Sequence, residues 1–139
     1  MFEIRLGTDD DKELLKHLYP RTIPVLGDGG YLILAVTKDE IVGFLWAFMR
    51  NIPAPIDRKE MFINVIEVTT EEFRCQGLAT EMLEKIKTIA TKEKAYQIRA
   101  YCDISNVSSH YLWVKNGYSV NPIAMSDGTI VGSYVSLVV

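Results

Sequence analysis

Cysteine and histidine are scarce in this sequence: two of each, Cys75, Cys102, His17 and His110. So few cysteines argue against a disulfide framework. The four residues have no metal-type spacing and complete no ligand set. A basic excess is also missing. Lys and Arg number 15 against 18 Asp and Glu, for a net charge of −3, which puts non-specific nucleic-acid binding at a disadvantage. No apolar run reaches membrane-spanning length; residues 41–49 come nearest and are too short. Met1-Phe2-Glu3-Ile4-Arg5 is not the basic start of a signal peptide. The length predicts a single domain over residues 1–139, and the scarce cysteines a reducing, cytoplasmic setting. Nucleic acid, membrane and metal are not expected as partners. What is present is an ordinary globular balance, 48% hydrophobic and 24% charged, in a chain long enough for a real core.

Phe2, Ile4 and Leu6 alternate with Glu3 and Arg5, a first strand with one buried face. Thr8 stands three residues before Asp11, a capping-box start. It leads into a helix whose stripe is Leu14, Leu15 and Leu18 and which Pro20 ends. Residues 20–30, with two prolines and three glycines, read as a loop with room for a short helix at 22–26. Gly27-Asp28-Gly29-Gly30 precedes a strand, where a dinucleotide fingerprint would follow one, so it reads as a turn. Residues 31–37 and 41–49 form an antiparallel hairpin, with Gly43 marking a bulge. A loop spans 50–59, and a fourth strand 61–69.

The stretch after that strand organises the chain. β-Branched residues give way at Arg74-Cys75-Gln76-Gly77-Leu78-Ala79 to a helix with Leu78, Ala79, Met82, Leu83, Ile86, Ile89 and Ala90 on one face. A helix that starts through a glycine offers free N–H groups and the positive end of its dipole to an anion. A fifth strand follows at 96–102, and the strand–helix–strand unit makes strands four and five parallel. Asp103-Ile104-Ser105-Asn106 opens another helix, running to about Asn116 and ended by Gly117. Tyr118 to Val120 begins a sixth strand that Asn121-Pro122 interrupts. Residues 126–128 turn, and 129–139 form the last strand. The expected architecture is α/β (α+β): a mixed, mostly antiparallel sheet with a parallel middle and helices on both faces.

Two motifs in order carry a resemblance: Arg74-x-x-Gly77-x-Ala79, and Asn106-x-x-Ser109 continuing through Leu112-Trp113 to Gly117-Tyr118. Together they resemble the GCN5-related N-acetyltransferase (GNAT) family over essentially the whole chain. The resemblance implies the GNAT fold, with the fourth and fifth strands splaying apart, and acetyl-CoA as acetyl donor. It implies that the backbone of Arg74, Cys75, Gln76, Gly77, Leu78, Ala79 and Thr80 holds the pyrophosphate. Val68 and Thr70 would pair with the pantetheine arm, and Asn106 would bond it from the other side. As a plain reading, Asn106 is also a helix N-cap. The acceptor is expected to be a primary amine of a small molecule or peptide, seated between residues 20–30, 50–59 and the C-terminal strands. Folds of this kind commonly form homodimers; the sequence carries no direct signal of one.

A lysine-like amine with pKa about 10.4 is mostly protonated at pH 7, so a base is needed. Glu67 is the first candidate, against the reading that it is an ordinary solvated or paired strand residue. Asn64 is placed to align a water, and Tyr101 and Asp103 to face the cleft. Where many family members carry a Tyr seven residues after the Asn, this sequence has Trp113, which supplies no proton. It either packs against the acetyl-pantetheine end or is a core tryptophan. His110 is expected to face solvent. Cys75, at a helix start, is not expected to be a nucleophile, because the family transfers acetyl directly. The rival reading is a non-catalytic acyl-CoA-binding module; a general nucleotide-binding domain lacks its Gly-Lys-Ser/Thr ending.

Overall fold

The computed structural model describes residues 2–23, 26–27, 29–38, 40–69, 71–74 and 77–139. Strand β1, Glu3–Leu6, runs into helix α1, Asp9–Leu18. The expected capping box is formed. Thr8 Oγ1 accepts from the Asp11 N–H at 3.3 Å, and Asp11 Oδ2 accepts from the Thr8 N–H at 2.7 Å. Asp11 also takes two bonds from Arg5, at 2.9 and 3.2 Å, which lock helix to strand. The expected stripe is narrower than its spacing suggests. Leu15 is fully buried, but Leu14 and Leu18 are about half exposed. One helix over the end of a sheet has only one line of contact, so the flanking leucines stay at its rim.

Strands β2, Gly30–Thr37, β3, Glu40–Ile52, and β4, Arg58–Val68, form an antiparallel meander. β3 and β4 are longer than expected and leave only residues 53–57 between them, so most of the expected 50–59 loop is strand. Residues 20–22 form a turn. Pro24 and Val25, in the expected short helix, lie outside the described residues, while Ile23 and Leu26 are buried. Helix α2, Leu78–Lys92, crosses to β5, Gln97–Asp103, which pairs parallel with β4. Helix α3, Val107–Lys115, leads to β6, Ser119–Ala124, and β7, Ile130–Val138. The sheet order is β1-β2-β3-β4-β5-β7-β6. Pro122 does not interrupt β6, because β6 is an edge strand and the missing N–H breaks no ladder there.

The sheet separates two cores. Leu32, Leu34, Phe44 and Trp46 pack under Leu15, on what is here called the α1 face. Ile33, Ala35, Leu45, Met61, Ile63 and Ile98 pack under Leu78, Met82, Ile86 and Trp113, on the α2–α3 face. Two bulges adjust the alternation. Ala35 pairs with Gly43 but Val36 with Ile41, so Val42 is the extra residue beside Gly43, as expected. Trp46 pairs with Val65 but Ala47 with Ile63, so Asn64 is a second extra residue, in β4.

Candidate active site

The β4–β5 ladder is short. Met61 pairs with Ile98, Phe62 with Arg99 and Ile63 with Ala100, and there the pairing stops. Beyond it, from the Asn64 bulge to Val68, the β5-facing edge of β4 has no strand partner among the described residues, and its peptide groups are open to an added chain. The other edge of this segment stays paired with β3, Val68 opposite Gly43 and Glu67 opposite Phe44.

At the far end of the opening a single 3-10 turn, Glu71–Phe73, precedes α2. Gly77 is the N-cap, with φ +82°, a left-handed conformation suited to glycine, and no side chain among the described residues caps the helix. The first helical bond runs from the Glu81 N–H to the Gly77 carbonyl at 3.0 Å. The N–H groups of Leu78, Ala79 and Thr80 therefore stand before the hydrogen-bonded part of the helix. The Leu78 side chain is buried in the core, so only its backbone faces this end. Thr80 Oγ1 accepts from Asn116 Nδ2 at 3.3 Å, tying α2 to the end of α3. Arg74 is half exposed and lies 3.9 Å from Glu71. Thr70, Cys75 and Gln76 lie outside the described residues.

Asn106 is the N-cap of α3. Its Oδ1 accepts from the Ser109 N–H at 3.1 Å, and its Nδ2 donors have no partner among the described residues. Trp113 is 1% exposed, packs edge-on to Tyr118 with ring centroids 4.9 Å apart, and donates its indole N–H to Ser109 Oγ at 3.2 Å. The side chain is thus built into the core on the α2–α3 face. His110 turns inward more than expected: its Nδ1 lies 3.0 Å from the Asn106 carbonyl oxygen and 3.3 Å from Cys102 Sγ. This thiol–imidazole contact was not legible in the sequence, because strand and helix must first fold over each other. Burial pushes the Cys102 thiol up, opposed by a bond to Ser109.

Glu67 sits on the α1 face beside Phe44, across the sheet from α2. Its Oε2 is buried without a hydrogen-bond partner among the described residues. Burial raises the carboxyl above its ordinary value, while the charge of Arg74 pulls it back. Along β5 the same face carries Tyr101 and Asp103, opposite Tyr134 and Gly132 of β7. The Tyr101 ring lies over Gly132, where a Cβ would come within 2.5 Å of its hydroxyl oxygen. Asp103 is turned back on its own loop, accepting from the Ser105 N–H at 2.9 Å and its hydroxyl at 2.7 Å. Asn64, at the bulge, is exposed. A pocket lined by Phe2, Arg5, Leu14 and Ile41 lies at the opposite, β1 edge of the sheet and has no part in this arrangement. Among the described residues no three His, Cys, Asp or Glu side chains gather as a metal site, and no helix is long and apolar enough to cross a membrane.

A strand edge opened by a bulge, an uncapped helix start at its end and a carboxylate on the opposite face thus meet at one end of the sheet. The acetyltransferase (GNAT) family model matches residues 4–118, and the chain belongs to that family. That family is one of acetyltransferases. The fold is shared with NAA60 of Arabidopsis thaliana, solved with a bisubstrate analogue: TM-score 0.77 and 12% identity, over 100% of this chain and 99% of that one. It is shared with Arabidopsis thaliana Naa50, solved with the bisubstrate analogue CoA-Ac-MVNAL: TM-score 0.75 and 16% identity, over 99% of each. A GNAT acetyltransferase of Elizabethkingia anophelis with acetyl-CoA bound has TM-score 0.65 and 19% identity, over 99% of this chain and 98% of that one. A search of curated protein sequences finds no match.

Proposed function

We propose that this chain transfers the acetyl group of acetyl-CoA to a primary amine by direct attack, in the cytoplasm, with Glu67 as general base. The observation that carries the reading is the end of the β4–β5 ladder at Ile63 and Ala100, with the uncapped start of α2 at the far end of the opening. The amides of Gly77 to Thr80, with those of Arg74, Cys75 and Gln76, would hold the pyrophosphate. The free β4 edge up to Val68, followed by the Thr70 backbone, would take the pantetheine arm as an added strand, with the Asn106 amide on its other side and Trp113 fixing Ser109 beneath. The amine nitrogen bonds to the thioester carbonyl carbon and the carbon–sulfur bond breaks. The amine proton passes to Glu67, directly or through a water aligned by Asn64, and CoA leaves as thiolate. A carboxylate raised by burial is a better base near neutral pH than an exposed one.

One observation favours a second reading, a non-catalytic acyl-CoA-binding module. At the position where the family often has a tyrosine, the buried Trp113 spends its only donor on Ser109. The two readings separate on one measurement: release of free CoA thiol over a panel of primary amines, beside acetyl-CoA binding by calorimetry. Turnover supports transfer. Tight binding with no turnover on any amine supports the module.

A further inference from the structure

Arg50, Glu60 and Arg99, from three adjacent strands, converge on the α1 face. Glu60 is 2% exposed. Its Oε2 accepts from Arg50 Nε at 2.6 Å, and its Oε1 accepts from Gln97 Nε2 at 2.8 Å and pairs with Arg99 Nε at 3.5 Å. Each guanidinium lies against a ring, Arg50 3.7 Å from the Phe62 centroid and Arg99 4.4 Å from that of Tyr134. Arg50 is thus held by a hydrogen bond at Nε and by stacking, and Arg99 by stacking and a 3.5 Å ion contact at Nε that is not a hydrogen bond, while the terminal Nη groups of both make no hydrogen bond to the described residues. The two side chains are 33% and 32% exposed. α1 packs over β2 and β3, and on this face Tyr101 and Tyr134 remain 46% and 36% exposed. Two fixed, stacked guanidiniums against one carboxylate leave a surplus positive charge on a chain of net charge −3. Such planar donor groups match an oxyanion, and a carboxylate best where bidentate geometry is wanted.

The phosphates of the donor are not the anion in question. The start of α2 follows the opposite end of β4 and packs on the other face of the sheet. Arg99 instead stands level with Phe62, one residue before the ladder ends, and the next residue on its face, Tyr101, is about 7 Å further toward the opening. We propose that Arg50 and Arg99 bind a carboxylate of the acceptor, so that the substrate class is a small amino acid whose amine and carboxylate are a short chain apart. This rests on the acetyltransferase reading above.

The test uses ω-amino acids from glycine to 6-aminohexanoate, each paired with its own amide, and phosphorylethanolamine. Thiol release is measured at low salt, and binding to the CoA-loaded protein by calorimetry. At the preferred length the acid is expected to exceed its amide at least tenfold in kcat/KM and in affinity. Arg99→Gln and Arg50→Gln should each bring that ratio below about threefold. Because each ratio is taken within one variant, a general loss of stability cancels. Arg99→Lys serves if Arg99→Gln does not fold, and should also lower the ratio, since a single ammonium lacks the fork. Equal use of acid and amide by the wild type, or an unchanged ratio in the arginine variants, overturns the proposal while leaving acetyl transfer standing. A preference for phosphorylethanolamine over every carboxylate overturns the carboxylate. Absence of turnover defeats the acetyltransferase reading, and the calorimetric ratio then decides the carboxylate site on its own.

Discussion

Replacing Glu67 by Gln keeps the size of the side chain and removes its charge and basicity. Removing a positioned base typically costs about 10²- to 10⁴-fold, or about 2.7 to 5.4 kcal/mol of barrier at about 1.36 kcal/mol per decade. Stability should move the other way. Glu67 Oε2 is buried and has no hydrogen-bond partner among the described residues, and burial raises its folded pKa. In the window between the ordinary value of 4.5 and the raised one, the folded state binds more protons than the unfolded state. Stability contributed by this group therefore falls as pH rises through that window. The neutral amide removes that penalty, so Glu67→Gln should melt at or above the wild-type temperature at pH 7. Thiol release from pH 5 to 9 and thermal melting at each pH test both halves. The wild-type rate should show an acidic limb above the ordinary carboxylate range, and the variant should lose it. A variant within threefold of wild type, with the same limb, would remove Glu67 as base. A variant that loses activity together with several degrees of melting temperature would make it a structural residue.

Three further outcomes are expected. Gly77→Glu places a negative side chain at the α2 start and forces a left-handed φ on it; the domain should stay folded by circular dichroism while acetyl-CoA binding by calorimetry falls at least a hundredfold. Asp11→Asn breaks the capping box and the Arg5 pair and should cost about 1–2 kcal/mol in urea titrations at pH 7. The bond from Arg5, aided by Thr8 and opposed by burial, holds the Asp11 carboxyl at about 2 against an ordinary 3.8, so the wild type should lose this advantage as pH falls from 3.8 toward 2 and the variant should not. Tyr118 carries a buried hydroxyl with no hydrogen-bond partner among the described residues, and burial, with the charge of Glu84, raises its pKa far above the ordinary value. Tyr118→Phe should therefore be neutral or stabilising by up to about 1 kcal/mol, and a clear loss in chemical denaturation would contradict the packing described.

The helix starts at Thr8, Gly77 and Asn106 were legible in the sequence because caps act over three or four residues, within reach of local pattern. The parallel pairing of β4 and β5 was legible because only a crossover helix joins strands in that way. The stripe of α1 and the continuity of β6 were misjudged for one reason: burial and edge position are properties of neighbours, and the sequence does not name them. The residues proposed to hold the pyrophosphate follow from a local motif. The Arg50–Glu60–Arg99 group does not, since its members lie ten and thirty-nine residues apart.

Glu67 marks the boundary most clearly. The sequence by itself determined that a carboxylate would stand in the fourth strand, shortly before a helix that starts through a glycine. Strict alternation from Met61 and Ile63 would have turned Val65 and Glu67 toward α2 as well. The extra residue at Asn64 shifts the alternation by one, so that Ile66 and Val68 pack under α2 while Glu67 emerges beside Phe44 on the opposite face. That shift depends on how β3 and β4 register against each other, and a register exists only once the strands have met.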